Sequence, residues 1–138
     1  MSREISLLGI SYNKISIEKK PDFKGKLQIT PSINISSIEK QELSLLKQDS
    51  IKVKFSFNIK YSELANILLE GEIILRTDAK TQKEILKTWK DKSLDSEIQS
   101  LILNIIMQKA SIKAIQLEEE MNLPLHIKIP RLEISKKE

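Results

Sequence analysis

The chain predicts an α+β fold: a four-stranded antiparallel sheet with two C-terminal helices packed on one face. Three observations carry this. Through the first half of the 138 residues, apolar and polar side chains alternate with the period of half-buried strands. The second half changes to the 3.6-residue period of helices. The links between the strands are too short to hold a crossover helix, so a parallel sheet is excluded. The length suits one core, and residues 1–138 are expected to form one domain.

Residues 3–19 alternate in two phases, with Ile5 and Leu7 in one, Ile10 and Tyr12 in the other, and Ile15 and Ile17 back in the first. One extra residue moves every later side chain to the opposite face of a strand. The phase changes at Gly9 and Asn13 therefore predict bulges in one long, bent strand. Pro21, Asp22 and Gly25 make a turn. Leu27, Ile29, Ile33 and Ile35 form a second strand, and Pro31, which cannot donate to a ladder, places it at an edge or bulge.

Residues 38–49 admit two readings. Ser36 and Glu39 have the spacing of a capping box, which would begin a short helix through Leu43 and Leu46; a wide hairpin loop is the rival. The third strand follows, with Ile51, Val53, Phe55, Phe57, Ile59 and Tyr61 alternating with Lys52, Lys54, Ser56, Asn58 and Lys60. A turn near 62–66 leads into a fourth strand over 67–76. Gly71 at its middle marks a bulge or a close backbone approach.

Thr77 or Asp78 caps a helix over 79–92, whose Ile85, Leu86 and Trp89 share a face. Ser93 is the expected cap of a longer helix over 95–122, where Asp95 and Glu97 complement the dipole and Pro124 enforces the stop. That helix carries more apolar surface than one stripe needs. Ile98, Leu101, Ile102, Ile105, Ile112 and Ile115 form one row, and Leu103, Ile106, Met107, Ala110, Ala114, Leu117 and Met121 a second. Leaving four such side chains in water forgoes about 1.5–3 kcal/mol each, comparable with the stability of a whole domain. The surplus predicts a partner, foremost another copy of the chain. The expected contacts are Ile98, Leu101, Ile102, Ile105, Ile106, Ile112 and Ile115. Beyond the helix, the segment LPLHIKIPRLEI reads as an extended tail along the body.

The composition narrows the function. No cysteine is present, which excludes disulfides and thiolate metal sites and suits a cytoplasmic location. The opening MSREISLLG lacks the long apolar core of a signal peptide, and no run approaches a membrane span. The net charge of +4 comes from lysines interleaved with apolar residues or glutamates, without an aromatic nucleic-acid motif, so nucleic acid is not the expected partner. A small basic nucleic-acid-associated protein without catalytic activity stands as the alternative.

Little points to chemistry. His126, the one histidine, lies between Leu125 and Ile127 and reads as a structural or surface residue. Three glycines, Gly9, Gly25 and Gly71, cannot build a phosphate loop, and no serine sits in a nucleophile elbow. Glu118, Glu119 and Glu120 point about 100° apart on a helix and read as a solvated helix end rather than a metal site. Trp89 with Ile85 and Leu86 reads as core packing, with a ligand wall as the rival. No enzyme, metal or cofactor is expected.

The element order resembles the SecB-type protein-export chaperones, in particular their small archaeal relatives. The segment Leu7-Leu8-Gly9-Ile10-Ser11-Tyr12-Asn13 is similar to that family's opening strand. The alternating residues 51–61 turning into 68–75 resemble its central strands. The long helix running into Leu123-Pro124, with the tail Ile129-Pro130-Arg131-Leu132, resembles its C-terminal third. The resemblance implies an ATP-independent chaperone that binds unfolded or extended polypeptide and assembles as a dimer or a dimer of dimers, with the long helices inside. The chain departs from the acidic bacterial members in being basic and ending Lys136-Lys137-Glu138, so their export-motor partner is not carried over. Client contacts are expected among Tyr12, Phe55, Phe57, Tyr61, Trp89, Leu125 and Ile127.

Overall fold

The structure, a computed structural model, describes residues 5–41 and 50–128. Four antiparallel strands, β1 (Ile5–Lys19), β2 (Ile29–Gln41), β3 (Ser50–Tyr61) and β4 (Ala65–Thr77), form one sheet in the order β1-β4-β3-β2. Helices α1 (Ala79–Trp89) and α2 (Ser96–Glu120) follow. α2 touches all four strands and α1 touches β2, so the expected α+β arrangement is the one observed.

Alternation sets which face is covered. From Ile51 to Tyr61 and from Ala65 to Leu75, the odd-numbered residues are buried under the helices, while Lys52, Lys54, Ser56, Asn58 and Lys60 line the opposite face. There Lys52 approaches Glu72 at 3.9 Å, a cross-strand ion pair on a wet surface. Both phase changes in β1 are bulges: the pairing with β4 shifts between Leu7 and Gly9 and between Tyr12 and Lys14, leaving Leu8 and Asn13 as the extra residues. β1 and β2 occupy opposite edges, so residues 20–28 carry the chain past the β3–β4 turn. Ser62 fastens that crossing: its hydroxyl accepts from the Gln28 amide at 2.7 Å, and its own amide donates to the Gln28 carbonyl at 3.0 Å.

Three local expectations are corrected. Ser36 does not begin a helix, because the chain stays in β2 through Gln41 and Ser36 is a bulge between Ile35 and Ser37. The bulge restores Ile38 to the core face, opposite Val53, and burying that isoleucine against β3 outweighs an isolated capping box. The possible helix residues Leu43 and Leu46 lie outside the described residues. The long helix is capped by Asp95 rather than Ser93, with the Asp95 carboxylate accepting from the Glu97 amide at 3.2 Å. Asp78 caps α1 in the same way, accepting from Thr81 at 3.1 Å, and that helix ends at Trp89 rather than at residue 92.

The end of α2 obeys its sequence signal. Asn122 has φ of 54°, its amide donates to the Glu119 carbonyl, and the Leu123 amide donates to the Glu118 carbonyl at 2.8 Å. This pair of bonds is a Schellman cap with asparagine in the left-handed position, and Pro124 follows where a helix cannot continue. Along α2 the buried residues are Ile98, Ile102, Ile106, Ala110, Ser111, Ala114, Leu117 and Glu118. Neither of the two expected rows is therefore the core stripe as a whole. Steps of four residues advance about 40° round an ideal helix, so burial migrates from the first row into the second.

Candidate functional site

Two features stand out on the helical face. The first is a groove of about 470 Å³ between edge strand β2 and the α1–α2 connection. Ile33, Asn34 and Ile35 form one wall; Trp89, Lys92, Ser93 and Leu94 form the other; Gln99 and Leu103 of α2 close the floor. The geometry follows from local sequence. Trp89 ends α1, and the chain turns through Lys92 at φ of 56°, which brings the Lys92 ammonium to 4.9 Å from the centre of the indole. A cation over an indole face is attractive by about 0.5–1 kcal/mol at an exposed site, enough to hold the ring at the groove mouth. Among the described residues β2 pairs with β3 on one side only, so its outer edge offers backbone donors and acceptors. Pro31 lacks an N–H and Ser36 is bulged, which confines the regular edge to residues 32–35.

The second feature is a buried polar network. Glu118 and the side chain of His126 have no exposed surface. The Glu118 carboxylate accepts from the Tyr61 hydroxyl, from the His126 amide at 3.2 Å and from His126 Nδ1 at 3.0 Å. His126 Nε2 lies 2.9 Å from the Ser111 hydroxyl. Nδ1, facing the carboxylate, donates to it, and Nε2 meets the Ser111 hydroxyl. The Tyr61 hydroxyl also lies 2.9 Å from the Pro124 carbonyl, and the imidazole stands edge-on to Phe57, with centroids 5.7 Å apart. The Glu118 expectation is thereby corrected. Glu119 and Glu120 form the exposed helix end, while Glu118 turns inward on the row of Ala110 and Ala114.

Serine, histidine and glutamate are connected here as in a nucleophilic triad. Their surroundings suit a structural lock better. Ser111 is 5% exposed in the middle of α2, where the adjacent amides are committed to helix carbonyls and cannot stabilise an oxyanion. Among the described residues no group of three or more metal-binding side chains converges, and no helix is long and apolar enough to cross a membrane.

Both tyrosines are shifted in the same direction. Burial raises the Tyr12 phenol above the ordinary 10.0. Tyr61 is raised further, first by burial, then by its hydrogen bond to Glu118 and by that carboxylate's charge. A folded-state pKa above the unfolded one gives stability that is complete below the unfolded value and is lost as pH rises beyond it. The expected result is that tyrosinate absorbance does not rise at the ordinary pKa of 10.0 in the folded chain, but together with loss of circular dichroism at higher pH. Tyr61→Phe should flatten the alkaline fall in stability. Ordinary titration of both tyrosines in a folded chain would contradict it.

The residues expected to bind clients divide sharply. Phe55, Phe57 and Tyr61 lie in the core at 2%, 0% and 0% exposure, so they are not open contact residues. Tyr12 is half-buried, with its ring edge-on to Phe55. Trp89 lines the groove, Leu125 is half-buried, and Ile127 is exposed. The expected interface residues divide too. Ile98, Ile102 and Ile106 are wholly buried in the chain's own core, which removes them from any surface contact. Leu101 and Ile112 are exposed, at 38% and 57%, and Ile105 and Ile115 are half-buried. Ser111 and Lys92 were not singled out in the sequence, and Glu118 was placed on the solvated helix end. The seven-residue spacing of Ser111 and Glu118 on a small-residue helix row was the available signal for that pair.

The fold is that of the SecB-like chaperones. The structure is similar to the Mycobacterium tuberculosis SecB-like chaperone Rv1957, solved in complex with a ChAD peptide from the HigA1 antitoxin, at a TM-score of 0.53 and 8% identity. The likeness covers 94% of this chain and 88% of that one. A Streptococcus agalactiae protein of unknown function is similar at a TM-score of 0.48 and 9% identity, over 95% of this chain and 100% of that one. No protein-family model and no curated protein matches the sequence.

Proposed function

We propose that the chain is a SecB-like molecular chaperone, a cytoplasmic, ATP-independent module that binds unfolded or extended polypeptide. The observation that carries the reading is the groove: a stretch of β2 edge that is unpaired among the described residues shares a cavity of about 470 Å³ with an indole. Strand addition along residues 32–35 would supply sequence-tolerant backbone bonds, and Trp89 an apolar anchor. The peptide bound to the Mycobacterium tuberculosis neighbour agrees with a polypeptide ligand. The expected result is suppression of client aggregation by light scattering without nucleotide, with a shift in emission of Trp89, the sole tryptophan. Trp89→Ala should weaken peptide binding by roughly 2 kcal/mol, the scale of an aromatic hot spot. No suppression at several-fold excess, or an unchanged affinity in the variant, would count against this function or this groove respectively.

Assembly belongs to the same reading. Leu101, Ile105, Ile112 and Ile115 lie on the outer face of α2, and with Gln108 they are spaced by alternate steps of four and three residues, the repeat of a helix–helix seam. The pattern is nearly symmetric about Gln108. An antiparallel second copy would set Leu101 near Ile115 and Ile105 near Ile112, as a two-fold contact requires. Ile112→Lys is expected to shift a dimer or tetramer to monomers in analytical ultracentrifugation while leaving the fold intact, since Ile112 is 57% exposed within the chain. An unchanged mass would exclude this seam.

A further inference from the structure

We propose that residues 123–128 are a detachable strap, fastened to the body by the Glu118–His126 lock and closing over Phe57 and Tyr61. The strap follows the Schellman cap of α2, and Asn122, in its left-handed conformation, is the pivot. Its apolar hold is slight. Leu123 is buried at 6% exposure, but Pro124 is exposed, Leu125 half-buried and Ile127 exposed at 40%. Its polar hold is concentrated at one place, where the Pro124 carbonyl and three atoms of His126 meet Tyr61, Glu118 and Ser111.

The consequence is mechanical. Among the described residues the strap pairs with no strand, and its removal leaves the bonds of the four-stranded sheet and the body of α2 in place. Detachment therefore costs less than global unfolding, as for other segments with few apolar contacts. Lifting His126 away opens the edge of Phe57 and the hydroxyl end of Tyr61, which are otherwise fully buried, and admits water to Glu118. An aromatic surface is thus stored beneath a segment held by hydrogen bonds. The inference stands whether or not the β2 groove binds polypeptide.

The chain has no cysteine, so single reporters can be introduced cleanly. Leu123→Cys reports on the strap and Ile73→Cys on the sheet core, each alkylated with iodoacetamide under identical native conditions. The expected result is that Leu123→Cys reacts at least tenfold faster than Ile73→Cys. Adding Glu118→Gln should raise the Leu123→Cys rate by about tenfold, the scale of one or two weakened hydrogen bonds, without moving the Ile73→Cys rate. Ser111→Ala, which removes a single hydrogen-bond partner of Nε2, gives the milder second variant if Glu118→Gln fails to fold. Equal rates at the two positions, rates that rise together, or a Leu123→Cys rate indifferent to the lock would each overturn the strap.

Discussion

Gly71→Ala is expected to destabilise the chain by about 2–3 kcal/mol, the cost of forcing atoms into a packed place. Gly71 sits in the middle of β4, opposite Tyr12 of β1 and Phe55 of β3. A Cβ there would fall against the carbonyl oxygen of Ser11, well inside contact distance, and 3.1 Å from Tyr12 Cα. These are backbone atoms of a paired strand, so no side chain can rotate away. β1 would have to leave the ladder or drag its Asn13 bulge with it. The rings of Tyr12 and Phe55 meet edge-to-face at 6.3 Å, bridging the neighbours of the missing side chain, and would lose that contact as well. Urea denaturation reads the effect directly as a lowered midpoint at unchanged slope. A loss below about 0.5 kcal/mol, the range of ordinary surface changes, would mean that β1 yields freely and that the close approach is not a constraint.

Gly71 shows what a sequence can announce without locating. A glycine inside a strongly alternating strand signals that something comes close, but which strand approaches is set by sheet order. That order, with β1 beside β4 and not beside β2, is a non-local choice. The bulges at Leu8 and Asn13 were legible because alternation records them directly as a flip of phase. Ser36 in β2 is the same event in an ambiguous setting. A phase flip next to a serine and a glutamate imitates a helix start, and only the pairing of Ile38 with Val53 decides between them.

The candidate sites divide along the same physical line. The excess apolar surface of α2 was visible as composition. Which residues face outward was not, because the contact stripe migrates round so long a helix. The groove depends on Lys92 folding back over Trp89, a turn that falls inside the helix expected over 79–92 and so was not legible. The lock joins Tyr61, Ser111, Glu118 and His126 from β3, α2 and the strap. Apart from the seven-residue step between Ser111 and Glu118, no local spacing connects these positions. A histidine flanked by leucine and isoleucine gives the same local pattern whether its ring is solvated or sealed against a carboxylate.

Glu118→Ala is expected to cost about 3 kcal/mol, toward the lower end for several buried donors left unsatisfied at about 1–3 kcal/mol each. The carboxylate is the common acceptor for the Tyr61 hydroxyl, the His126 amide and His126 Nδ1. Deleting it leaves these donors without that partner beneath the strap, and an unsatisfied buried donor costs more than a made hydrogen bond returns. The loss stays near the lower end because the strap can lift and let water reach His126. The informative comparison is with a variant that removes the whole network at once: Tyr61→Phe, Ser111→Ala, Glu118→Leu and His126→Leu together. Matched apolar replacement of all partners of a buried polar network can be nearly neutral or stabilising. The fourfold variant is therefore expected to unfold at or above the urea midpoint of the parent chain, with strap alkylation at Leu123→Cys slowed rather than quickened. A strap that is more stable when sealed by leucine would show that the polar lock sets where residues 123–128 attach and how readily they detach, and contributes little to the strength of the fold. A fourfold variant as unstable as Glu118→Ala would instead make the network a main support of the C-terminal end of α2.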